Sequence, residues 1–338
     1  MTAGLLGSDR PLAEAYDCAL VDLDGVTYLG HDPIPWASDS LVAARDRGMR
    51  LVFVTNNASR APESVAEQLV ALGIPAEPDD VMTASQAAAK LLATRLQPGA
   101  KVLVVGTDAL RDAVRDEGFV VVGSADDEPA AVAQGYGPDV GWAQLAEAAY
   151  AIERGAWHVA SNLDKSLPQA RGLAPGNGAL VLAVQAATGV VPDSAGKPEP
   201  AMYRLAAARV GGQRPLVVGD RLDTDLGGAR AGGFAGLHVL TGVSTARDDV
   251  LAAASFRPTY LGADLRALLE PHPEPQAAAD GWWSCRQAAA RVRDGRLELD
   301  ARDGDPMDLV RAACAASWEA ADAGRPVDPS HVPDLPVG

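Results

Sequence analysis

Two carboxylates close an apolar run in YDCALVDLDGVTYLG, residues 16–30: Asp22 and Asp24 flank Leu23, and Gly25 follows at once. A second apolar run, RLVFVTNN (50–57), ends in Thr55-Asn56-Asn57. A third, PLVVGDRLDTD (215–225), passes through Gly219-Asp220 and then carries Asp223 and Asp225. Between the second and the third, a chain poor in lysine keeps Lys197 in GKPEP (196–200). Several carboxylates at one point repel one another, so such a cluster must hold protons or share a cation. A hard divalent ion meets that need, and Mg²⁺ characteristically takes one or two carboxylates together with water and a substrate phosphate.

The chemistry that these residue types suit is phosphoryl transfer. Asp22 would attack phosphorus and form an aspartyl-phosphate, which divides one difficult step into two. Asp24 would protonate the leaving oxygen and then take a proton from water. Thr55 offers a hydroxyl to the phosphoryl oxygens, and Lys197 offers the same group a fixed positive charge. Asp220 would complete the metal's protein ligands, while Asp225 would hold metal-bound water or orient Lys197. Asp223 reads as structural. Asn57 either hydrogen-bonds Asp24 or shapes the turn.

For these groups to meet, the three runs must be neighbouring parallel strands, because open α/β sheets bind ligands beyond the carboxyl ends of their strands. The flanking sequence supports that. SDSLVAARDRG (38–48) reads as a helix capped by Ser38 and ended by Gly48, and PESVAEQLVALG (62–73) as a helix with Pro62 at its start and Gly73 after its end. Strands apolar on both faces, alternating with helices, predict a parallel sheet covered by helices. A second α/β pattern begins at KVLVVG (101–106). It continues through FVVVG (119–123), AAVAQG (130–135), a helix near 141–154, WHVASNLD (157–164) and a helix LVLAVQAATG (180–189). A helix over 200–210, the strands at 215 and AGLHVLTG (235–242), and a closing helix DLRALLE (264–270) complete the first pattern.

DLDGV, VTNN, GKPEP and GDRLDTD occur in that order, each in its expected context. Together they resemble the four motifs of haloacid dehalogenase-superfamily phosphatases, in the branch that includes phosphoglycolate, pyridoxal phosphate, 4-nitrophenyl phosphate and glycerol-phosphate phosphatases. The resemblance covers roughly residues 16–270. It implies a Rossmann-like core, Mg²⁺ dependence, Asp22 as nucleophile and Asp24 as acid/base, with the Asp24 backbone carbonyl also reaching the metal. Metal ligands are then Asp22, Asp24 and Asp220, with Asp225 behind them, and Thr55, Asn56, Asn57 and Lys197 face the substrate. Asp24 and Thr55 are too close in sequence for a large lid, whereas the span from Asn57 to Lys197 leaves room for a whole inserted domain. That span matches the large α/β cap this branch carries there, which would close over the phosphate and read the leaving group. In it, SNLDKSLP (161–168) would turn Asn162 and Asp164 toward the substrate.

The expected fold is therefore α/β: a Rossmann-like parallel-sheet core in two parts (1–97 and 192–270), an inserted α/β cap (98–191) and a small α+β C-terminal tail (271–338). PHPEPQAAAD (271–280) reads as a linker, RVRDGRLEL as a hairpin turning at Asp294-Gly295, and Asp305-Pro306 as a helix start. The tail lies outside the resemblance: it reads as an interaction or dimerisation module, a cover for the core or a degenerate remnant of another enzyme, and packing is its expected role.

A net charge of -16 argues against nucleic acid or an anionic membrane as partner, but not against a small anion. Three dispersed cysteines suggest neither a disulfide framework nor a zinc site. Neither a leader nor a run approaching about 20 apolar residues is apparent, so a soluble cytoplasmic protein is expected. GxGxxG and GxSxG motifs are lacking. The expected partner is a small phosphorylated metabolite, glycerol 3-phosphate or 2-phosphoglycolate by family analogy, with a homo-oligomer left open. The alternative is a binding or scaffold protein with an inactive phosphatase core and an interaction tail.

Overall fold

The structure is a computed structural model that describes residues 4–30, 32–169, 171–301, 304–333 and 335. Its chain divides into two compact units, one formed by residues up to 53, 70–75 and from 206 onward, the other by 54–69 and 76–205.

The first unit is built on five parallel strands in the order Tyr260–Gly262, Ala235–Val239, Pro215–Gly219, Cys18–Val21 and Arg50–Thr55. Their side chains are buried on both faces, as the continuous apolar runs predict. The helix expected over 38–48 runs Ala37–Asp46 and is followed by Gly48 at φ +93°. Ser38 does not cap it. Trp36 occupies that position at φ +66°, and the Ser38 hydroxyl donates to the Gly73 carbonyl at 2.9 Å. DLRALLE forms a tighter 3₁₀ turn, Leu265–Leu269, capped by Asp264.

The C-terminal segment belongs to this same unit. Four antiparallel strands follow one another, Gln276–Ala277, Trp282–Cys285, Ala288–Arg293 and Arg296–Asp300, with Asp294 and Gly295 both at positive φ in the hairpin turn. The helix Pro306–Asp322 begins at the expected cap, with Asp305 accepting from the Met307 N–H at 2.9 Å. It is buried on nearly all sides, because it packs both on its own sheet and on Ala246–Val250 and Tyr260–Gly262. One apolar cluster joins Ala246, Val250 and Leu261 to Cys285, Leu297, Met307, Val310, Cys314 and Trp318. The stretch read as a linker is tied down: Ser8 and His272 exchange backbone hydrogen bonds at 2.8 Å, and Gln276–Ala277 is an edge strand. The alanine and proline composition that suggested a linker says nothing of these long-range bonds.

The second unit carries its own parallel sheet, ordered Asp193–Ser194, Trp157–Ala160, Ala131–Gln134, Lys101–Val105 and Val120–Val122. Helices Asp108–Asp116, Trp142–Glu153 and Asn177–Thr188 connect these strands, and Gly189 ends the last at φ +72°. A two-stranded hairpin, Ser166–Gln169 with Gly172–Pro175, precedes that helix. Among the described residues, no helix is long and apolar enough to cross a membrane.

Candidate active site

Strands Cys18–Val21 and Pro215–Gly219 run side by side in register, so Asp22 and Asp220 leave the sheet together. The chain passes from Cys18–Val21 to Arg50–Thr55 on one side and adds Pro215–Gly219 on the other, so the two aspartates stand at the topological switch point. The Asp22 N–H donates to the Val218 carbonyl at 2.8 Å. Asp22, Asp220 and Asp225 bring carboxylate oxygens within 4.8 Å of one another, with Asp220 and Asp225 buried and Asp22 half-buried. Asp225 reaches this group through a wide helical turn, Leu222–Leu226, in which the Leu226 N–H donates to the Arg221 carbonyl five residues back. Asp223 turns away and pairs with the Arg221 guanidinium at 2.9 and 3.1 Å. Burial works against its charge, but that guanidinium outweighs burial and holds the carboxyl below its ordinary range.

Three glycines clear the space around these carboxylates. A Cβ on Gly25 or Gly242 would overlap the Asp220 carboxyl group, and one on Gly219 would overlap Asp225. Gly25 also sits at φ +85°, a conformation that a side chain would strain. Asp220 is held from several sides. Its Oδ2 accepts from the Val243 N–H at 2.7 Å, and its carbonyl accepts from the Ser244 N–H at 3.1 Å and from His238 Nε2 at 3.0 Å. His238 Nδ1 lies 2.9 and 2.8 Å from the two Asp249 oxygens, and both residues are fully buried. Burial alone would lower the His238 pKa, but the Asp249 carboxylate overrides it and raises the ring above its ordinary value.

Asp24 is exposed, beyond the buried Leu23, and its side chain is outside the three-carboxylate group. The chain folds back after it, with the Gly25 N–H donating to the Tyr28 carbonyl at 2.8 Å.

The other expected residues belong to the second unit. Thr55 is buried at the end of its strand, and its hydroxyl oxygen accepts from the Asn57 N–H at 3.1 Å. The Asn57 side chain shapes the turn, accepting from the Ser59 N–H and hydroxyl at 2.8 and 2.7 Å. The Asn56 amide grips the backbone of Lys197: Oδ1 accepts its N–H at 2.8 Å, and Nδ2 donates to its carbonyl at 3.2 Å and to Asp164 Oδ2 at 3.0 Å. Asn162 Nδ2 donates to the Asn56 carbonyl at 2.8 Å, and Asn162 Oδ1 accepts from the Asp164 N–H at 3.2 Å. Asn56, Asn162, Asp164 and Lys197 thus form one connected group, and their side-chain bonds explain why Lys197 is buried rather than a solvated loop residue.

The donor set of the first unit fits a hard divalent cation. Its ligand atoms are all carboxylate oxygens gathered within 4.8 Å of one another, the donor type that Mg²⁺ takes. Without a cation, three carboxylates this close would repel.

Residues 19–120 match the haloacid dehalogenase-like hydrolase family, and residues 194–268 a second haloacid dehalogenase-hydrolase-like family. This chain belongs to the haloacid dehalogenase superfamily. It falls among the phosphatases of that superfamily, for its relatives match at high identity over most of their length. D-glycerol 3-phosphate phosphatase of Mycobacterium tuberculosis is 45% identical over 314 residues, covering 92% of this chain and 88% of the relative. An acid sugar phosphatase of Staphylococcus aureus is 36% identical over 252 residues, 74% of this chain and 95% of the relative. The crystal structure of a glycerol phosphate phosphatase from Mycobacterium tuberculosis in complex with magnesium superimposes with a TM-score of 0.85 at 46% identity, over 92% of this chain and 93% of that one. Residues 285–332 match a GCN5-related N-acetyltransferase-like domain, a relationship the sequence motifs did not suggest.

His238, Asp249 and the clearing glycines also escaped sequence reasoning. Gly25 and Gly219 had a local signal, since each lies within a motif, whereas Gly242 does not. His238 had none, sitting within AGLHVLTG as an ordinary strand residue.

Proposed function

We propose that this phosphatase hydrolyses a small phosphorylated metabolite, with glycerol 3-phosphate favoured and 2-phosphoglycolate next, through an aspartyl-phosphate on Asp22. The observation that carries the reading is the Asp22–Asp220–Asp225 group at the switch point of the first sheet. The substrate preference draws on the name of the 45% identical relative, and Mg²⁺ on the ion present in the superimposed crystal structure.

Asp22, Asp220 and the Asp24 backbone carbonyl would hold the metal, with Asp225 holding its bound water. The ion would supply positive charge that lets carboxylates and a phosphate share one site. Asp22 Oδ attacks phosphorus as the bond to the leaving oxygen breaks, and Asp24 gives that oxygen a proton. Asp24, now a carboxylate, takes a proton from water. The resulting hydroxide attacks phosphorus, the bond to Asp22 breaks, and phosphate leaves with Asp22 restored. Lys197 and the Thr55 hydroxyl hold the phosphoryl oxygens as negative charge builds. Asn56, Asn162 and Asp164 act as positioning residues, because their side-chain groups bind one another and the Lys197 backbone. Asn57 shapes the turn that presents Thr55. Residues 98–191 would serve as the cap that selects the leaving group, a role supported by the independent sheet within 101–194.

Phosphate release from a panel of glycerol, glycolate, sugar and pyridoxal phosphates tests this, first with Mg²⁺, then with EDTA, then in Asp22→Asn. Glycerol 3-phosphate should turn over best, EDTA should abolish release, and Asp22→Asn should lose roughly 10³-fold or more in kcat. An Asp22→Asn enzyme as active as the wild type would remove Asp22 as nucleophile. A scaffold role has less support, because the helix an interaction tail would present is spent on packing within the first unit.

A further inference from the structure

We propose that the C-terminal segment takes part in building the metal-binding end of the first unit: Trp318, Asp249 and His238 form a buried relay that fixes the backbone of Asp220. The proposal rests on the assignment of Asp220 as a metal ligand. The indole Nε1–H of Trp318, in helix Pro306–Asp322, donates to the Asp249 carbonyl at 2.8 Å. The Asp249 carboxylate meets His238 Nδ1 at 2.9 and 2.8 Å, and His238 Nε2 meets the Asp220 carbonyl at 3.0 Å. None of the four residues exposes more than 2% of its surface.

A buried histidine–carboxylate pair is a poor way to gain stability, because two apolar side chains of like volume would pack at least as well. What the pair supplies is orientation. The Asp220 carbonyl can only accept a hydrogen bond, so the ring must donate from Nε2. Asp249, meeting Nδ1 on the far side of the ring, fixes the plane in which that donation is made, as carboxylates do for histidines beside metals. The Asp220 carbonyl is then bound both by His238 and by the Ser244 N–H, and its carboxylate by the Val243 N–H. Three bonds of this kind leave the residue little freedom to swing. The helix that carries Trp318 is held separately from the relay, by the ion pair of Asp322 with Arg257 at 2.8 Å. Helix Ala246–Val250, which carries Asp249, is the element through which the tail reaches the carboxylate cluster.

The test uses four full-length proteins: wild type, Trp318→Phe, His238→Gln and Asp322→Asn. Trp318→Phe removes the indole donor while keeping an aromatic ring. Asp322→Asn weakens the tail's anchorage without touching the relay. Each protein is stripped with EDTA, titrated with Mg²⁺ by calorimetry, and followed by hydrogen exchange across 240–246 and by melting temperature. Trp318→Phe should bind Mg²⁺ about three- to tenfold more weakly and exchange the Val243 and Ser244 amides faster, and His238→Gln should lose about tenfold or more. Asp322→Asn should melt earlier with wild-type affinity and exchange. If Trp318→Phe behaves like Asp322→Asn, Trp318 only packs and the proposal is overturned, even should His238→Gln fail to fold. A wild type that binds no Mg²⁺, with exchange still faster in Trp318→Phe, would remove the metal assignment and leave the relay standing as a device of loop geometry. No binding together with unchanged exchange would remove both.

Discussion

His158 and His272 are buried, and burial drives both rings down to about 4. Each is neutral in the fold, with His158 Nε2 2.9 Å from Gln134 Oε1 and His272 Nε2 2.8 Å from the Ala267 carbonyl. In the unfolded chain both would titrate near 6.5. Between pH 6.5 and 4 the unfolded state therefore binds more protons than the fold, so stability rises with pH through that window. It is complete above about 6.5 and falls as pH drops toward 4, by up to about 3 kcal/mol per histidine. Urea midpoints should be lower at pH 5 than at pH 7, and His158→Gln should flatten the difference. An unchanged slope in that variant would place the effect elsewhere. Asp22 and Asp220 were legible because each follows an apolar strand directly, where a short local pattern is enough. His238 and Asp249 were not, because their meeting depends on a strand and a helix that no local pattern brings together.

The elements around the carboxylates are shaped by what they leave out. Gly242 belongs to the loop that donates the Val243 N–H to Asp220, and a Cβ there would overlap the Asp220 carboxyl group. Gly242→Ala must displace Asp220 or the loop, and it should weaken Mg²⁺ binding by about tenfold or more. Gly233 offers the comparison. It sits at φ +77° with open space where its Cβ would go, so Gly233→Ala should cost about 1–2 kcal/mol of stability and leave Mg²⁺ affinity alone. Calorimetric titration and thermal melts of the two proteins separate these outcomes; equal affinity in both would mean that the clearing at Gly242 has no bearing on the cation. Strand identities were readable because both-face burial leaves unbroken apolar runs. Helix starts were less so: Ser38 has a capping side chain, but a long-range bond to Gly73 claims it and Trp36 takes the position.

Across the whole molecule, two parallel sheets could be foreseen from two separate α/β patterns and packing was the tail's expected role, but the residues it packs against could not be read. The tail's hairpin and helix were visible as local signals, whereas their destination is a shared apolar cluster assembled from residues as distant as Val250 and Trp318. That cluster makes the tail part of the first unit's core rather than an appendage. A chain ending at Glu270 would lay bare Ala246, Val250 and Leu261, and would also lose the ion pair of Arg257 with Asp322 and the hydrogen bond of Arg311 to the Leu261 carbonyl. Arg257 would lose at once the Asp322 carboxylate and the Trp318 ring and carbonyl that hold it. The truncated protein should melt roughly 10 °C lower or more and aggregate through the uncovered apolar face. Thermal melts with light scattering at equal concentration check this. A truncated chain that stayed monodisperse with an unchanged midpoint would show the tail to be dispensable to the core. Because Trp318 leaves with the tail, any truncated chain that did fold should also bind Mg²⁺ more weakly than Trp318→Phe, which keeps the packing and loses only the indole donor.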